Sequence, residues 1–240
     1  MSSPSAQTLY AAIDATWPAA AFHRNGPWTL RRGAGGGSRV SAATLQTEAT
    51  VADIKAACDA MRDMDQTPIF MVQQGQDDLD TALAGQGLVI KDPVTLYSVG
   101  LDRCEWPKPP RMAGFAMWPP LAVCLDIWQA GGIGPERVAV MDRAATPKTA
   151  LFGRAKDSPG GTAFVALKDG IAMLHALEVL ARLRRHGLGR DLMYSAAHWA
   201  RSQGATDLAV LVTTANEGAN RLYRGLGMQA VGGYHYRTEP

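Results

Sequence analysis

Apolar and polar residues in the C-terminal half of the chain alternate in blocks that predict strands and helices in turn. Segments 121–130 and 135–143 have the periodicity of helices, and apolar runs at 162–167 and 171–180 predict two strands. Lys168-Asp169-Gly170 stands between these strands. Because Asp-Gly favours the tight turn between antiparallel strands, the segment predicts a hairpin.

A glycine-containing turn at 184–189 follows the hairpin and opens a further predicted helix. Leu188, Leu192 and Ala196 share one face of that helix, and Gly204 ends it. The remaining pattern predicts a strand at 208–213, a helix at 216–224 and a strand near 230–237.

The N-terminal half has a similar alternation of predicted elements. The pattern predicts an opening apolar-periodic segment around Leu9, Ile13 and Trp17, strands at 28–32, 39–45, 69–72 and 88–99, and helices at 51–64 and 79–84. The glycine run at 33–38 lies between two predicted strands and precedes no predicted helix. It therefore predicts a flexible hairpin loop without a catalytic role.

Five prolines between Cys104 and Pro120 interrupt the pattern and predict a linker. We therefore expect an N-terminal domain at 1–106, a Pro-rich linker at 107–120 and a C-terminal domain at 121–240. The two halves superimpose along the sequence at an offset of 140 residues, the distance from Gln76 to Asn216. This offset favours duplication. At that offset Thr47 and Ala49 stand where the second half has Gly187 and Gly189, so the N-terminal half lacks the glycine turn.

Composition excludes some classes of function. With 24 basic and 22 acidic residues in 240, the chain has no field suited to nucleic acid. The first twenty residues lack a basic stretch followed by an apolar run, which favours a cytoplasmic protein without a membrane segment. The three cysteines are widely spaced, so we expect free thiols and no metal site.

The turn at 184–189 has the features of a phosphate-binding loop. Gly187 and Gly189 let the backbone approach a ligand closely, and the free N–H groups at the start of the following helix attract phosphate oxygens. Arg182, Arg184, Arg185 and Arg190 add positive charge there. The segment alone is also compatible with an ordinary glycine connector before a helix.

Two motifs in order resemble the GNAT superfamily of N-acetyltransferases. Arg184 to Gly189 matches Arg/Gln-x-x-Gly-x-Gly/Ala, and Asn216 to Met228 matches Asn-x-x-Ala-x-x-Leu-Tyr-x-x-x-Gly-Phe at the expected distance. Ala181 replaces the usual Pro and Met228 the usual Phe. The resemblance implies an α/β protein of two GNAT-like mixed β-sheet units flanked by helices, the first unit degenerate and the second catalytic.

The family resemblance also implies a cosubstrate and residues that bind it. Acetyl-CoA would bind along the glycine turn and the strand before it, and backbone N–H groups near Val179 and Leu180 would contact the acetyl carbonyl and the pantetheine amide. The implied binding residues are Val179, Leu180, Arg184, Arg185, His186, Gly187, Leu188, Gly189, Arg190, Asn216 and Tyr223.

The resemblance further assigns catalytic roles. Tyr223 stands at the position of the general acid, although a core tyrosine is the alternative, and Asn216 is either a pantetheine contact or a simple helix cap. His175 and Glu178, three apart on one strand, are expected on opposite faces. His175 is the preferred general base because its ordinary pKa is about 6.5, although a core histidine with satisfied hydrogen bonds is the alternative. Glu178 is expected to need a partner, such as one of the arginines.

The acceptor is expected to be a primary amine on a small molecule or a peptide, and the oligomeric state is left open between monomer and homodimer. Tyr234, His235, Tyr236 and Arg237 either line the acceptor pocket or form an ordinary sheet edge. The alternatives to catalysis are a noncatalytic acyl-CoA-binding or regulatory module and an N-terminal half that serves as an interaction scaffold.

Overall fold

The computed structural model describes residues 4–110, 113–155 and 158–240. Within them the chain forms one eight-stranded mixed sheet and one three-stranded antiparallel sheet, flanked by helices, which confirms the predicted α/β class. The small sheet consists of β1 (Ala21–Asn25), β2 (Trp28–Arg32) and β3 (Thr44–Leu45). None of the described helices is both long and apolar enough to cross a membrane.

The large sheet draws its strands from both halves of the chain. Its strands are β4 (Ile69–Gln73), β5 (Val89–Gly100), β6 (Ala113–Met117), β7 (Lys148–Ala155), β8 (Ser158–Lys168), β9 (Ile171–Val179), β10 (Asp207–Thr213) and β11 (Gln229–Thr238), in the order β4-β11-β5-β10-β9-β8-β7-β6. Among the described strand pairs of this sheet, β9 with β10 is the parallel one and the others are antiparallel. The predicted hairpin joins β8 to β9, with positive φ at both Asp169 and Gly170.

Helices cover both faces of this sheet. They are α1 (Ala6–Thr16), α2 (Ser38–Ser41), α3 (Val51–Asp63), α4 (Asp77–Ala84), α5 (Ala122–Ala130), α6 (Pro135–Arg143), α7 (Leu188–Ser202) and α8 (Glu217–Gly225), with a 3₁₀ turn at Ala181–Leu183. Alternate residues of β8 show the layering. Val165 packs in the core under α7, whereas its neighbours Phe164 and Ala166 pack in the core with Trp17, α5 and α6.

The two halves interleave in the middle of the large sheet. β11 lies between β4 and β5, and β5 lies between β11 and β10. Gln73 of β4 pairs with Tyr234 of β11. The residues that correspond to them at the offset of 140, Thr213 of β10 and Val94 of β5, pair with each other in the same way. The offset found in the sequence is thus a pseudo-twofold symmetry of the strand pairing, which supports the predicted duplication.

Three local predictions differ from the structure. Strand β6 lies inside the segment predicted to be a linker, and it pairs with β7. The sequence pattern did not predict β7 either. Residues 111 and 112 of the predicted linker lie outside the described residues. The strand expected at 39–45 is wrong in its first part, because Ser38–Ser41 forms α2 and only Thr44–Leu45 forms β3. The division into domains stays a prediction.

Candidate active site

The glycine turn ends in an open helix N-terminus. Gly187 is the N-terminal cap of α7 in the left-handed conformation, with φ +85°, and no side chain caps the helix there. The first N–H groups of α7 thus have no side-chain acceptor, while the dipole of the 15-residue helix places positive potential at the same end. Arg184, Arg185 and Arg190 are exposed around it. This arrangement suits a phosphate-bearing ligand.

The corresponding helix of the N-terminal half is closed. Thr50 caps α3, its side chain accepting from Asp53 N, while the Asp53 carboxylate accepts from Thr50 N at 2.8 Å. The Thr50 contacts lower the pKa of Asp53, so this end already carries its own negative charge. A phosphate has no comparable place at α3.

Strands β9 and β10 separate beside the open end of α7. β9 pairs with β10 from Ile171 and Asp207 as far as Leu174 and Val210. Beyond these residues β9 continues to Val179 and β10 to Thr213, but the two strands no longer pair with each other. The β10-facing edge of β9 past Leu174 therefore has no strand partner among the described pairings. A wedge opens in the sheet between the ends of these two strands.

A cavity of about 520 Å³, here called the α7 cavity, lies at the wedge and the helix N-terminus. Of the residues expected to bind cofactor or act in catalysis, it is lined by Glu178, Val179, Arg184, Arg185, Gly187, Leu188, Gly189, Arg190 and Asn216. The sequence analysis did not assign Leu177, Leu183, Gly218, Ala219, Arg221 and Leu222, which also line it. Gly218 and Ala219 are small residues in the first turn of α8. Their small size could have indicated from the sequence that a ligand approaches the helix closely there.

Three of the expected binding residues, Leu180, His186 and Tyr223, lie outside this lining. The N–H of Leu180 donates to Gly160 O at 2.9 Å, so it is already used within the protein. This contradicts the expectation that it contacts the cosubstrate. His186 is exposed, and its Nδ1 lies 2.8 Å from Arg184 O, which stabilises the turn.

Arg184 holds the end of β9 in place. Its Nε donates to Val179 O at 2.9 Å, and its guanidinium donates to Glu178 Oε1 at 3.1 Å. Glu178 thus has the arginine partner that the sequence analysis expected. The Glu178 side chain is 17% exposed, which leaves it accessible from the cavity.

Helix α8 positions Asn216 and Tyr223. The Asn216 Oδ1 accepts from Ala219 N at 3.1 Å, so this residue is the helix cap as well as part of the cavity wall. Tyr223 is 5% exposed, and its ring centroid lies 6.0 Å from that of Tyr97 in the core under α7. Burial raises the pKa of Tyr223 well above its ordinary value of 10, so the phenol stays protonated.

A β-bulge places His175 and Glu178 differently from the expectation. His175 pairs with Phe164 and Glu178 with Thr162, so two residues of β9 stand opposite Ala163. Ala176, one of the two, has φ +51°. His175 contacts Trp17, and Glu178 lies against Gly131 at the end of α5, so both side chains are on the face that α5 covers. The predicted opposite faces are therefore wrong.

Both ring nitrogens of His175 have protein partners. Arg39 donates from its NH1 to His175 Nδ1 at 3.2 Å. His175 Nε2 lies 3.0 Å from Thr16 Oγ1, and since that hydroxyl donates to Ala12 O, the Nε2–H is the donor. Burial and the Arg39 charge lower the pKa of His175 well below 6.5. This contradicts the expectation that His175 takes the proton of the acceptor.

A second cavity, of about 240 Å³, lies on the other side of the wedge and is here called the Arg39 cavity. Ala176 of β9 and Thr213 of β10 border it, whereas Leu177 and Asn216 border the α7 cavity. Its wall further contains Trp17, Arg39, Asp92, Arg137, Tyr234 and Tyr236. The glycine run contributes Gly36 and Gly37, which the sequence analysis had left without a role.

Of the four residues Tyr234 to Arg237 that were considered for the acceptor pocket, two bind another part of the protein instead. β11 lies inside the sheet, so the alternative of an edge strand is wrong. His235 Nε2 lies 2.6 Å from Asp80 Oδ1, and Arg237 donates to both Asp80 oxygens, at 2.7 and 2.8 Å. His235 and Arg237 therefore tie β11 to α4, whereas Tyr234 and Tyr236 border the Arg39 cavity.

We expect Asp80→Asn to destabilise the protein by about 2 kcal/mol at pH 7. The hydrogen bond from Arg237 is the main cause that lowers the pKa of Asp80 to about 2. Because the folded pKa lies below the unfolded value of about 3.9, this stabilisation is present above pH 4 and is lost as the pH falls toward 2. Urea unfolding of both proteins at pH 7 and pH 3 measures the difference.

Asp78→Asn is the matched control for Asp80→Asn. Asp78 is an exposed carboxylate on the same first turn of α4 and has no ion pair in the described part of the chain. We expect it to change stability by less than about 1 kcal/mol. An equal loss in the two variants would attribute the effect to the helix dipole and contradict the role of the Asp80 contacts.

Residues 132–228 match the family model described as the acetyltransferase (GNAT) family. The whole chain is similar in structure to a GCN5-related N-acetyltransferase from Kribbella flavida, with a TM-score of 0.74 at 19% identity, over 97% of this chain and 94% of that one. It also resembles a conserved protein of unknown function from Staphylococcus epidermidis, with a TM-score of 0.69 at 12% identity, over 90% and 92% of the two chains.

A third similar structure is a tandem GNAT protein from the clavulanic acid biosynthesis pathway. Its TM-score is 0.61 at 14% identity, over 88% of this chain and 77% of that one. No curated protein sequence matches the chain. These structural similarities establish the fold of the chain, and the match to the family model establishes the family of residues 132–228. Residues 132–228 therefore form an acetyltransferase domain of the GNAT family, in a chain whose overall fold is that of GNAT proteins.

Proposed function

We propose that the chain transfers the acetyl group of acetyl-CoA to a primary amine by direct attack. The observation that carries the proposal is the uncapped N-terminus of α7 beside the wedge between β9 and β10. The start of α7 suits a phosphate, and the edge of β9 that faces the wedge has no strand partner among the described pairings. Residues of both line the α7 cavity.

The residues of the α7 cavity fit the parts of acetyl-CoA. The N–H groups of Leu188 and Gly189, with Arg185 and Arg190, hold the pyrophosphate. The free edge of β9 near Val179, together with Asn216, holds the pantetheine arm. Small side chains at Gly218 and Ala219 leave room for this arm between α7 and α8.

Bound acetyl-CoA supplies a thioester carbonyl, which the amine nitrogen attacks so that a C–N bond forms and the C–S bond breaks. Tyr223 donates its hydroxyl proton to the leaving thiolate, and burial ensures that this proton is present when the C–S bond breaks. Glu178 accepts the proton that the nitrogen loses, directly or through water. Arg184 pairs with Glu178 Oε1 and holds this carboxylate toward the cavity.

We expect purified protein to bind acetyl-CoA at one site per chain and to release free thiol when amines are added. Titration calorimetry measures the stoichiometry, and a thiol-reactive chromophore measures the release with pooled small amines. Acetyl-CoA without amine is the control for hydrolysis. One site is expected because the capping box of α3 closes the equivalent helix. Two equivalent sites would contradict a degenerate N-terminal half.

The same assay separates catalysis from its main rival. A noncatalytic acyl-CoA-binding module would bind acetyl-CoA with the same stoichiometry and release no thiol with any amine. Tyr223 lies on α8, whose first turn lines the α7 cavity, and the presence of this phenol favours turnover. Binding without release across the whole amine pool would overturn the proposed transfer.

A further inference from the structure

Arg39 is a cation held in place by neutral groups. Its NH1 donates to His175 Nδ1, and its guanidinium carbon lies 5.9 Å from the centroid of the Trp17 ring. The nitrogen of His175 is an acceptor without charge, because the ring is neutral. Thr16 in turn fixes the ring of His175. The guanidinium is thus oriented by the end of α1 and by β9, and the hydroxyl groups of Tyr234 and Tyr236 accept further hydrogen bonds from it.

No carboxylate neutralises this guanidinium. Arg39 forms no ion pair in the described part of the chain, and its Nε is sealed from solvent without a hydrogen-bond partner. Removing a charge from water without a partner costs several kcal/mol, so buried charges are normally paired. A preserved and oriented charge of this kind indicates an anionic partner that comes from outside the protein.

The other groups around the Arg39 cavity add to this preference. Arg137 is a second cation in the wall, and Tyr236 donates to Tyr234 at 3.3 Å, which leaves the Tyr234 hydroxyl proton free for a ligand. Asp92 is the carboxylate in the wall and is exposed at its rim. The cavity therefore presents donors inside and one acceptor at its rim.

The cavity is also small. Its 240 Å³ equals the liquid volume of roughly eight water molecules. That is below the usual range for drug-sized ligands, which begins at about 300 Å³. A compact metabolite fits, whereas a polycationic acceptor such as a polyamine or an aminoglycoside is disfavoured by repulsion from two arginines.

We propose that the Arg39 cavity is the acceptor site and that the acceptor is a small amine bearing a carboxylate, which pairs with Arg39. This inference rests on the proposed acetyl transfer and names its substrate class. The two cavities lie on opposite sides of β9 at the wedge, where Ala176 borders the Arg39 cavity and Leu177 borders the α7 cavity. A carboxylate held at Arg39 thus directs the amine toward the α7 cavity. His175 is a positioning residue for the guanidinium.

The test compares amino acids with their neutral amides as acceptors. Glycine, L-alanine, β-alanine and 4-aminobutyrate are each paired with the corresponding amide, which has the same shape and no negative charge. We expect kcat/KM from thiol release to be at least about 30-fold higher for the preferred amino acid than for its amide. Equal or better use of the amides by the wild-type protein would overturn the proposal.

Arg39→Gln tests the named residue, with Arg143→Gln as its matched control. Arg143 is exposed on α6 and borders neither cavity. We expect the preference for the carboxylate to fall below about 3-fold in Arg39→Gln and to stay unchanged in Arg143→Gln. Acetyl-CoA affinity, measured by calorimetry, should stay within a few-fold of wild type in both, which also shows that the variants are folded. An intact preference in Arg39→Gln would overturn the assignment.

A binding measurement keeps this inference separate from the proposed function. N-acetylglycine and its amide are added to wild-type protein with CoA present, and ligand-observed NMR measures binding. We expect the acid to bind at least about 10-fold more tightly, and Arg39→Gln to abolish the difference. Absence of thiol release with this preference intact would overturn acetyl transfer alone. Thiol release without any preference would overturn the carboxylate site alone.

Discussion

Tyr223→Phe is expected to lower kcat by about 100-fold while acetyl-CoA affinity stays within a few-fold of wild type. The substitution removes only the hydroxyl and keeps the ring that packs near Tyr97. The lost group is the proton donor for the leaving thiolate, which is needed only in the transition state. Steady-state thiol release measures kcat, and titration calorimetry measures affinity.

Tyr97→Phe is the matched control for this substitution. Its ring lies beside that of Tyr223, but its hydroxyl donates to Asn220 Oδ1 at 3.0 Å, so its proton is already used within the protein. We expect a loss of about 1 kcal/mol in stability and near wild-type kcat. Normal turnover with collapsed affinity in Tyr223→Phe would make Tyr223 a packing residue.

Gly187→Val is expected to weaken acetyl-CoA binding by at least about 10-fold. An added Cβ would have room, since the nearest atom is Arg190 NH2 at 3.7 Å, but φ at Gly187 is +85°. A β-branched residue disfavours this conformation, so the turn rearranges and the first N–H groups of α7 no longer converge on the phosphates. Titration calorimetry with acetyl-CoA measures the change.

Gly204→Val controls for the general cost of the same substitution. Gly204 follows the other end of α7, has φ +80° and has open space around its Cβ position. Both variants should lose about 1–2 kcal/mol of stability. Equal weakening of acetyl-CoA binding by both would show a global effect and remove the turn from the site.

The sequence was most informative where a few adjacent residues determine the conformation. Asp169-Gly170 predicted the hairpin because these residues adopt the positive φ that a tight turn needs. The glycines at 187 and 189 predicted the open start of α7 for the same kind of reason. The duplication was visible because a constant offset survives without gaps where β4 and α4 fall on β10 and α8, from Ile69 on Ala209 to Gly87 on Gly227.

Features that depend on distant contacts were missed. The bulge at Ala176 changes which side of β9 each later residue faces, and an apolar run contains no signal for it. Arg39 became a candidate only when the fold brought it to His175, 136 residues further along the chain. Pro107 to Pro120 suggested a linker because prolines break periodicity, yet β6 forms between them by pairing with β7.

The interleaved strands have a consequence for synthesis of the chain. β4 and β5 are made early, but β11, which lies between them, is made after all the other described strands. At roughly 5–20 residues per second, the ~160 residues from Gln73 to Tyr234 take about 8–30 s to translate. During this delay the apolar residues of β4 and the facing edges of β4 and β5 lack β11 as a partner, so we expect the first half to be a target for chaperones until β11 is made.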